Sequence, residues 1–227
     1  MSITPKRAPA LLLIGLFAAV LTPGVAYAHP LDDIINSISS MDQSIGAFLN
    51  YTVIGFEHIL PLGLDHILFV LGLFLLSPTL KPLFWQVTAF TLAHSVTLAM
   101  TIFGLISFSP SIVEPIIALS ITFIAVENIF TTNLKPWRIL VVFLFGLIHG
   151  MGFAGVLSEI GLPEGQQALA LVAFNVGVEL GQIAVILIAL AAVWFFRNAS
   201  WYRTRISNPA SIAIGAVGLF WFVERVF

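Results

Sequence analysis

Three histidines, His66, His94 and His149, and three acids, Asp65, Glu127 and Glu179, lie within otherwise apolar stretches of the chain. Imidazole nitrogen suits first-row divalent ions such as nickel, cobalt, zinc and copper, and carboxylate adds hard anionic oxygen. A charged carboxylate facing lipid at the bilayer centre costs about 3 kcal/mol or more. The six groups are spread over different apolar segments, so they are expected to converge rather than face lipid. A cation held among them lowers the cost of keeping the carboxylates ionised. The competing structural reading is a set of unrelated polar contacts that join helices pairwise.

Neighbouring polar residues extend this set. Asn175, Glu179 and Gln182 are spaced by four and three residues, which places them on one helix face. Asn175 and Gln182 are read as carbonyl donors or as groups that orient ligands from behind. Thr91 and Ser95 flank His94 and Asn128 follows Glu127; these are weaker signals, because Ser and Thr often bond their own helix backbone. His58 and Glu57 precede Pro61 and are read as an outer access pair or additional ligands. Asp65 and His66 are adjacent and point about 100° apart on a regular helix, yet both can line a cavity near Gly63. Gly146, Gly150, Gly152 and Gly155 surround His149, and Gly177 and Gly181 flank Glu179, which allows close helix approach.

The elements that must carry these groups follow from composition. The 227 residues are 59% apolar and 9% charged, against about a quarter charged in soluble domains. Apolar stretches near membrane-spanning length recur. The reading is an all-α, polytopic membrane helix bundle with six transmembrane segments over residues 45–227. The first, Ile45–Ser77, is too long for one straight span and is expected to break near Pro61–Gly63; such breaks mark ion sites because freed backbone groups need protein or water. The others are expected at Leu83–Phe108, Ile112–Thr131, Ile139–Ser158, Ala168–Phe196 and Pro209–Phe227.

Residues 1–28 have the order of a secretory signal peptide: Lys6 and Arg7, the apolar run Ala10–Leu21, then Ala26-Tyr27-Ala28. Cleavage there makes His29 the mature N-terminus, whose imidazole and free amine could hold a metal ion weakly; the competing and favoured reading is an accident of the cleavage site. Residues 29–44 read as a periplasmic or interfacial segment. Lys81, Lys135, Arg138, Arg197, Arg203 and Arg205 fall on one side of the six spans and only Arg225 on the other. This positive-inside bias places both termini in the periplasm and the chain in a bacterial inner membrane. The formal net charge of −2 offers no nucleic-acid footprint, and the absence of cysteine removes thiolate chemistry.

At these residues the chain resembles the HupE/UreJ family of nickel/cobalt permeases, in particular its signal-peptide-bearing bacterial and cyanobacterial branch. The likeness is carried by His58-Ile59-Leu60-Pro61-Leu62-Gly63-Leu64-Asp65-His66, by Phe90–Leu98 around His94, by Val126-Glu127-Asn128, by His149–Ala154 and by Phe174–Gln182. It implies uptake of Ni²⁺ or Co²⁺ across the inner membrane, with the family's histidine–aspartate signature on His58, Asp65 and His66. Six residues, Pro61 among them, separate His58 from Asp65, one more than the nickel-permease form of the signature carries.

The functional expectation is secondary transport of a divalent transition metal, Ni²⁺ or Co²⁺, with Zn²⁺, Cu²⁺, Fe²⁺ and Mn²⁺ still open. The expected ligands are His66, Asp65, His94, His149, Glu179 and Glu127. His58, Glu57 and His29 are further ligands or access residues, and Asn175, Gln182, Asn128 and Ser95 stand behind. No ATP-binding motif is present, so a pump is not indicated. An intramembrane metalloenzyme, a metal-binding structural or sensor subunit and a cation channel are the competing readings. The lipid bilayer and the metal ion are the expected partners, with the chain a monomer or small homo-oligomer.

Overall fold

A computed structural model describes residues 30–76, 79–160 and 165–227, with no side-chain detail for 30–38, 40 and 154–160. The signal-peptide assignment for residues 1–28 and the proposed role of His29 lie outside the described residues. Among the described residues every regular element is helical. They are α1 (Pro30–Ile59), α2 (Leu64–Leu76), α3 (Leu80–Ile102), α4 (Pro110–Phe130), α5 (Arg138–Ile160), α6 (Gln167–Val193), a π-helical turn (Arg203–Ser207) and α7 (Asn208–Val226). The chain divides into two compact units, Met1–Gln43 and Ser44–Phe227. The described part of the first, residues 30–43, is helical. Everything below concerns the second.

Four helical stretches, α3, α4, α6 and Arg203–Val226, are long and apolar enough to cross a membrane. Met41–Ile59 and Leu64–Leu76 together make a fifth, bent by 70° at the intervening residues. The expected break at Pro61–Gly63 is where that bend falls. Pro61 cannot continue a helix, since it lacks the N–H and clashes with the preceding turn. The backbone there is nonetheless satisfied: Leu62 N–H donates to Glu57 O at 3.1 Å and Gly63 N–H to Ile59 O at 3.2 Å. The remaining helix, α5, is apolar over Arg138–Phe153.

One expected boundary moves. The second span was placed at Leu83–Phe108, but α3 stops at Ile102. Gly104 adopts φ 71° and Leu105 N–H turns back to Met100 O at 2.8 Å. A left-handed glycine just past the last turn is the usual helix terminator.

The bundle is built from close pairs, with α3 packed most extensively on α5 and α4 on α7, while α2 contacts α4 and α6. Two glycine contacts set the spacing at the site. A Cβ on Gly150 of α5 would collide with the His94 carbonyl of α3, and a Cβ on Gly177 of α6 with the Thr52 carbonyl of α1. Both helix pairs thus touch backbone to backbone beside the polar residues, as small residues permit in membranes. The buried core is aliphatic and aromatic, including Phe69, Leu73, Phe74, Phe90, Ile121, Val142 and Phe174. Outward faces carry exposed apolar side chains such as Leu92, Val96, Val172, Leu187 and Phe220, the pattern of a lipid-facing surface. Trp85, Trp137, Trp194 and Trp201 are also exposed.

Candidate metal site

The site grows from the bend. His58 sits in the last turn of α1, and Asp65 and His66 in the first turn of α2. The 70° change of direction brings the two histidines together across Pro61 and Gly63, with ring centroids 4.7 Å apart. The six-residue spacing between His58 and Asp65 is therefore no obstacle, because it need not follow one helix face. His94 reaches in from α3, 6.1 Å from the His66 ring and 6.2 Å from that of His58. One ligand nitrogen from each of His58, His66 and His94 lies within 4.8 Å of the other two. His149 of α5 stands beside them, its ring 5.0 Å from that of His66.

The hydrogen bonds orient these rings toward a common use. His66 Nδ1 is 3.0 Å from Asp65 Oδ1, which also accepts the His66 backbone N–H at 2.8 Å. His94 Nδ1 is 3.1 Å from Asn175 Oδ1. Asn175 in turn donates from Nδ2 to Leu171 O at 2.8 Å, which fixes its oxygen toward the imidazole. His149 Nδ1 faces the Phe145 carbonyl at 2.9 Å. All three partners are acceptors, so each Nδ1 carries a proton, and the neutral form of each ring presents its lone pair at Nε2. Nε2 of His58, His66, His94 and His149 is buried with no hydrogen-bond partner. A buried polar atom without a partner needs an explanation. Four of them on adjacent imidazoles, three with the opposite nitrogen anchored, match the way proteins prepare histidine for a metal.

Access lies on the side of the bend. A cavity of about 540 Å³ is lined by Ile54, Glu57, His58, Leu62, Gly63, Asp65 and Phe153. Glu57 is exposed and Asp65 partly so, which gives the cavity two carboxylates. Phe153 packs on His58 at 3.8 Å between centroids and stacks on Phe174 at 5.0 Å. On the other side the cluster rests on Phe90 and Phe69, and Phe69 meets Phe145 at 6.0 Å. The imidazoles thus have a carboxylate-bearing approach above and an aromatic floor below.

Several expected ligands are placed elsewhere. Glu179 accepts a hydrogen bond from Thr88 Oγ1 at 2.6 Å, one turn along α6 from Asn175. Glu127 pairs with Arg138, Nη1 to Oε2 at 3.2 Å. Neither joins the gathered ligand atoms. Asn128 does not bond Glu127; it donates to Gly72 O at 2.8 Å and Ser211 Oγ at 3.2 Å and accepts from Arg138 Nη2 at 3.4 Å. Ser95 gives its hydroxyl to Thr91 O at 2.6 Å, its own helix backbone, and so does not brace His94. Gln182 receives Thr91 Oγ1 at 3.4 Å. Two features had no signal in the residue types: the Phe145 carbonyl behind His149, because a backbone acceptor carries no residue code, and the burial of Arg138, which charge counting assigned to a loop.

The clustered imidazoles, enclosed by helices apolar enough to cross a bilayer, form a group that could hold a metal ion. A model of the HupE / UreJ protein family matches residues 36–225, most of the chain, and the chain belongs to that family. Membership implies a function related to nickel/cobalt transport. No curated protein and no solved structure matches the chain.

Proposed function

We propose that the protein is a secondary permease that takes up Ni²⁺ or Co²⁺ through the His58, His66 and His94 cluster, with α5 completing six membrane crossings. The observation that carries this reading is the four buried Nε2 atoms without partners. A structural histidine in a membrane core bonds through both nitrogens or is replaced by an apolar residue, because an unmatched polar atom there is costly. Neutral imidazoles with one carboxylate nearby suit a borderline divalent ion better than Mg²⁺ or Ca²⁺, which favour oxygen.

The order of events follows from the layout. A hydrated ion is drawn to Glu57 and Asp65 in the cavity and exchanges water for His58 beside Phe153. His66 and His94 complete the site, and His149 offers a fourth nitrogen on the inner side of His66. Asp65 and Asn175 hold the rings so that little side-chain entropy is lost on binding. An inside-negative membrane potential favours inward movement by about 2.3 kcal/mol per charge per 100 mV.

Proteoliposome uptake measured across Ni²⁺, Co²⁺, Zn²⁺, Cu²⁺, Mn²⁺ and Fe²⁺, alongside metal analysis of the purified protein, tests the proposal. Saturable uptake of Ni²⁺ or Co²⁺ that is lost in His66→Ala supports it. Tight binding without uptake favours a sensor or structural subunit, and uptake by His66→Ala equal to wild type excludes this site.

A further inference from the structure

At the end of the bundle that carries the basic residues, α4 and α5 bury a second polar cluster that the imidazole site does not use. Glu127 is 8% exposed and Arg138 only 1%. Their closest approach is 3.2 Å, Nη1 to Oε2, yet neither Glu127 oxygen and neither Nε nor Nη1 of Arg138 has a hydrogen-bond partner. A buried ion pair that serves only as a tie is stabilising when its remaining lone pairs and protons are also satisfied. Here Oε2 faces Arg138 alone and Oε1 has no partner.

The surroundings are ordered. Arg138 is steered by Asn128 Oδ1 at 3.4 Å, and Asn128 is pinned to Gly72 O of α2 and Ser211 of α7. Arg203 caps the end of α4 through Asn128 O at 3.0 Å and Thr131 O at 2.8 Å. Five elements, α2, α4, α5, α7 and the π-helical turn, thus order the surroundings of one carboxylate that only Arg138 touches. Arg138 lies eleven residues before His149 on the same helix, about 16 Å along its axis. Between them α5 presents the buried Val142 and the aromatic contact of Phe145 with Phe69.

We infer that Glu127 is the inner release station for the transported divalent cation, with Arg138 as the resident counter-charge that the ion displaces. This rests on the imidazole reading above and adds a second, oxygen-donor site to it. Between passages Arg138 neutralises Glu127 and keeps that end closed to other cations. An ion arriving from the imidazoles takes the unpartnered Oε1 and then Oε2 from Arg138 Nη1, and the guanidinium stays on Asn128 Oδ1. A single carboxylate holds a borderline ion more weakly than three or four imidazole nitrogens, so the sequence of sites runs downhill in retention toward the exit.

The test uses the full chain in proteoliposomes, with Co²⁺ as probe and its visible absorption as the signature of nitrogen ligation. Glu127→Gln is expected to keep the wild-type Co²⁺ spectrum while uptake falls by at least about tenfold, and to melt at a lower temperature because Arg138 is left without its counter-charge. The swap Glu127→Arg with Arg138→Glu restores opposite charges and is expected to fold yet transport no better than Glu127→Gln. Wild-type uptake in Glu127→Gln, or in the swap, overturns the inference and reduces the pair to a structural tie. Loss of the nitrogen-type spectrum in folded Glu127→Gln also overturns it, since Glu127 is then part of the first site. A wild-type protein with neither the spectrum nor uptake overturns the imidazole reading itself, a result distinct from either.

Discussion

The two polar clusters of this bundle are prepared in opposite ways. At the bend, three rings are anchored through Nδ1 while Nε2 of all four stays buried without a partner. At the basic end, a guanidinium already stands where a cation would go. The first cluster is uncharged at its ligand atoms apart from Asp65 behind; the second is an ion pair. In a low-dielectric interior both solutions avoid a bare charge. The difference is that neutral imidazoles can stand buried without a counter-charge, whereas a carboxylate needs one.

The contrast can be broken at the bend most severely. His94→Ala removes a ligand and leaves a hole beside His66; uptake is expected to fall by at least about 100-fold, more than the loss of any bracing group. Direct metal titration should show the same loss, while melting temperature stays close to wild type. Asn175→Leu leaves all four rings but frees His94 to rotate, and metal affinity is expected to drop by about 10- to 100-fold. Asn175→Asp keeps an acceptor and should recover most of it; equal affinity in the Leu variant would show that the brace is idle. Gly150→Ala forces α5 away from the His94 carbonyl and is expected to destabilise the protein by about 1–3 kcal/mol, read as a lower melting temperature. Glu57→Gln should have the smallest effect, a rise in KM of about threefold at low salt that fades at high salt, with kcat unchanged. An altered kcat there would place Glu57 inside the site rather than at its approach.

Much of this was legible in the residues. A chain so poor in charge had to be a membrane bundle, and its buried histidines stood out against that background. His58, Asp65, His66, His94 and Asn175 were all named from spacing and type, and the structure brings them together. The bend was visible because Pro61 and Gly63 are local determinants. The acids were less readable. Glu127 and Glu179 sit in apolar spans just as the histidines do, but a one-dimensional pattern gives depth without azimuth. Whether a mid-span carboxylate faces the imidazoles, a threonine or an arginine depends on helix rotation, which packing decides. Arg138 shows the same limit: at a helix start, a loop arginine and a buried one read alike. The Gly150 contact could be anticipated as close packing, but not that its neighbour is the carbonyl of a ligand histidine.

The anchored Nδ1 atoms carry a consequence for energy coupling. In their neutral form, rings anchored through Nδ1 bind an ion at Nε2 without releasing a proton. Loading of the proposed site by that route is expected to be insensitive to the ionisation enthalpy of the buffer. The proposed uptake is then expected to be electrogenic: valinomycin-clamped vesicles should transport faster as the interior is made more negative, without needing a pH gradient.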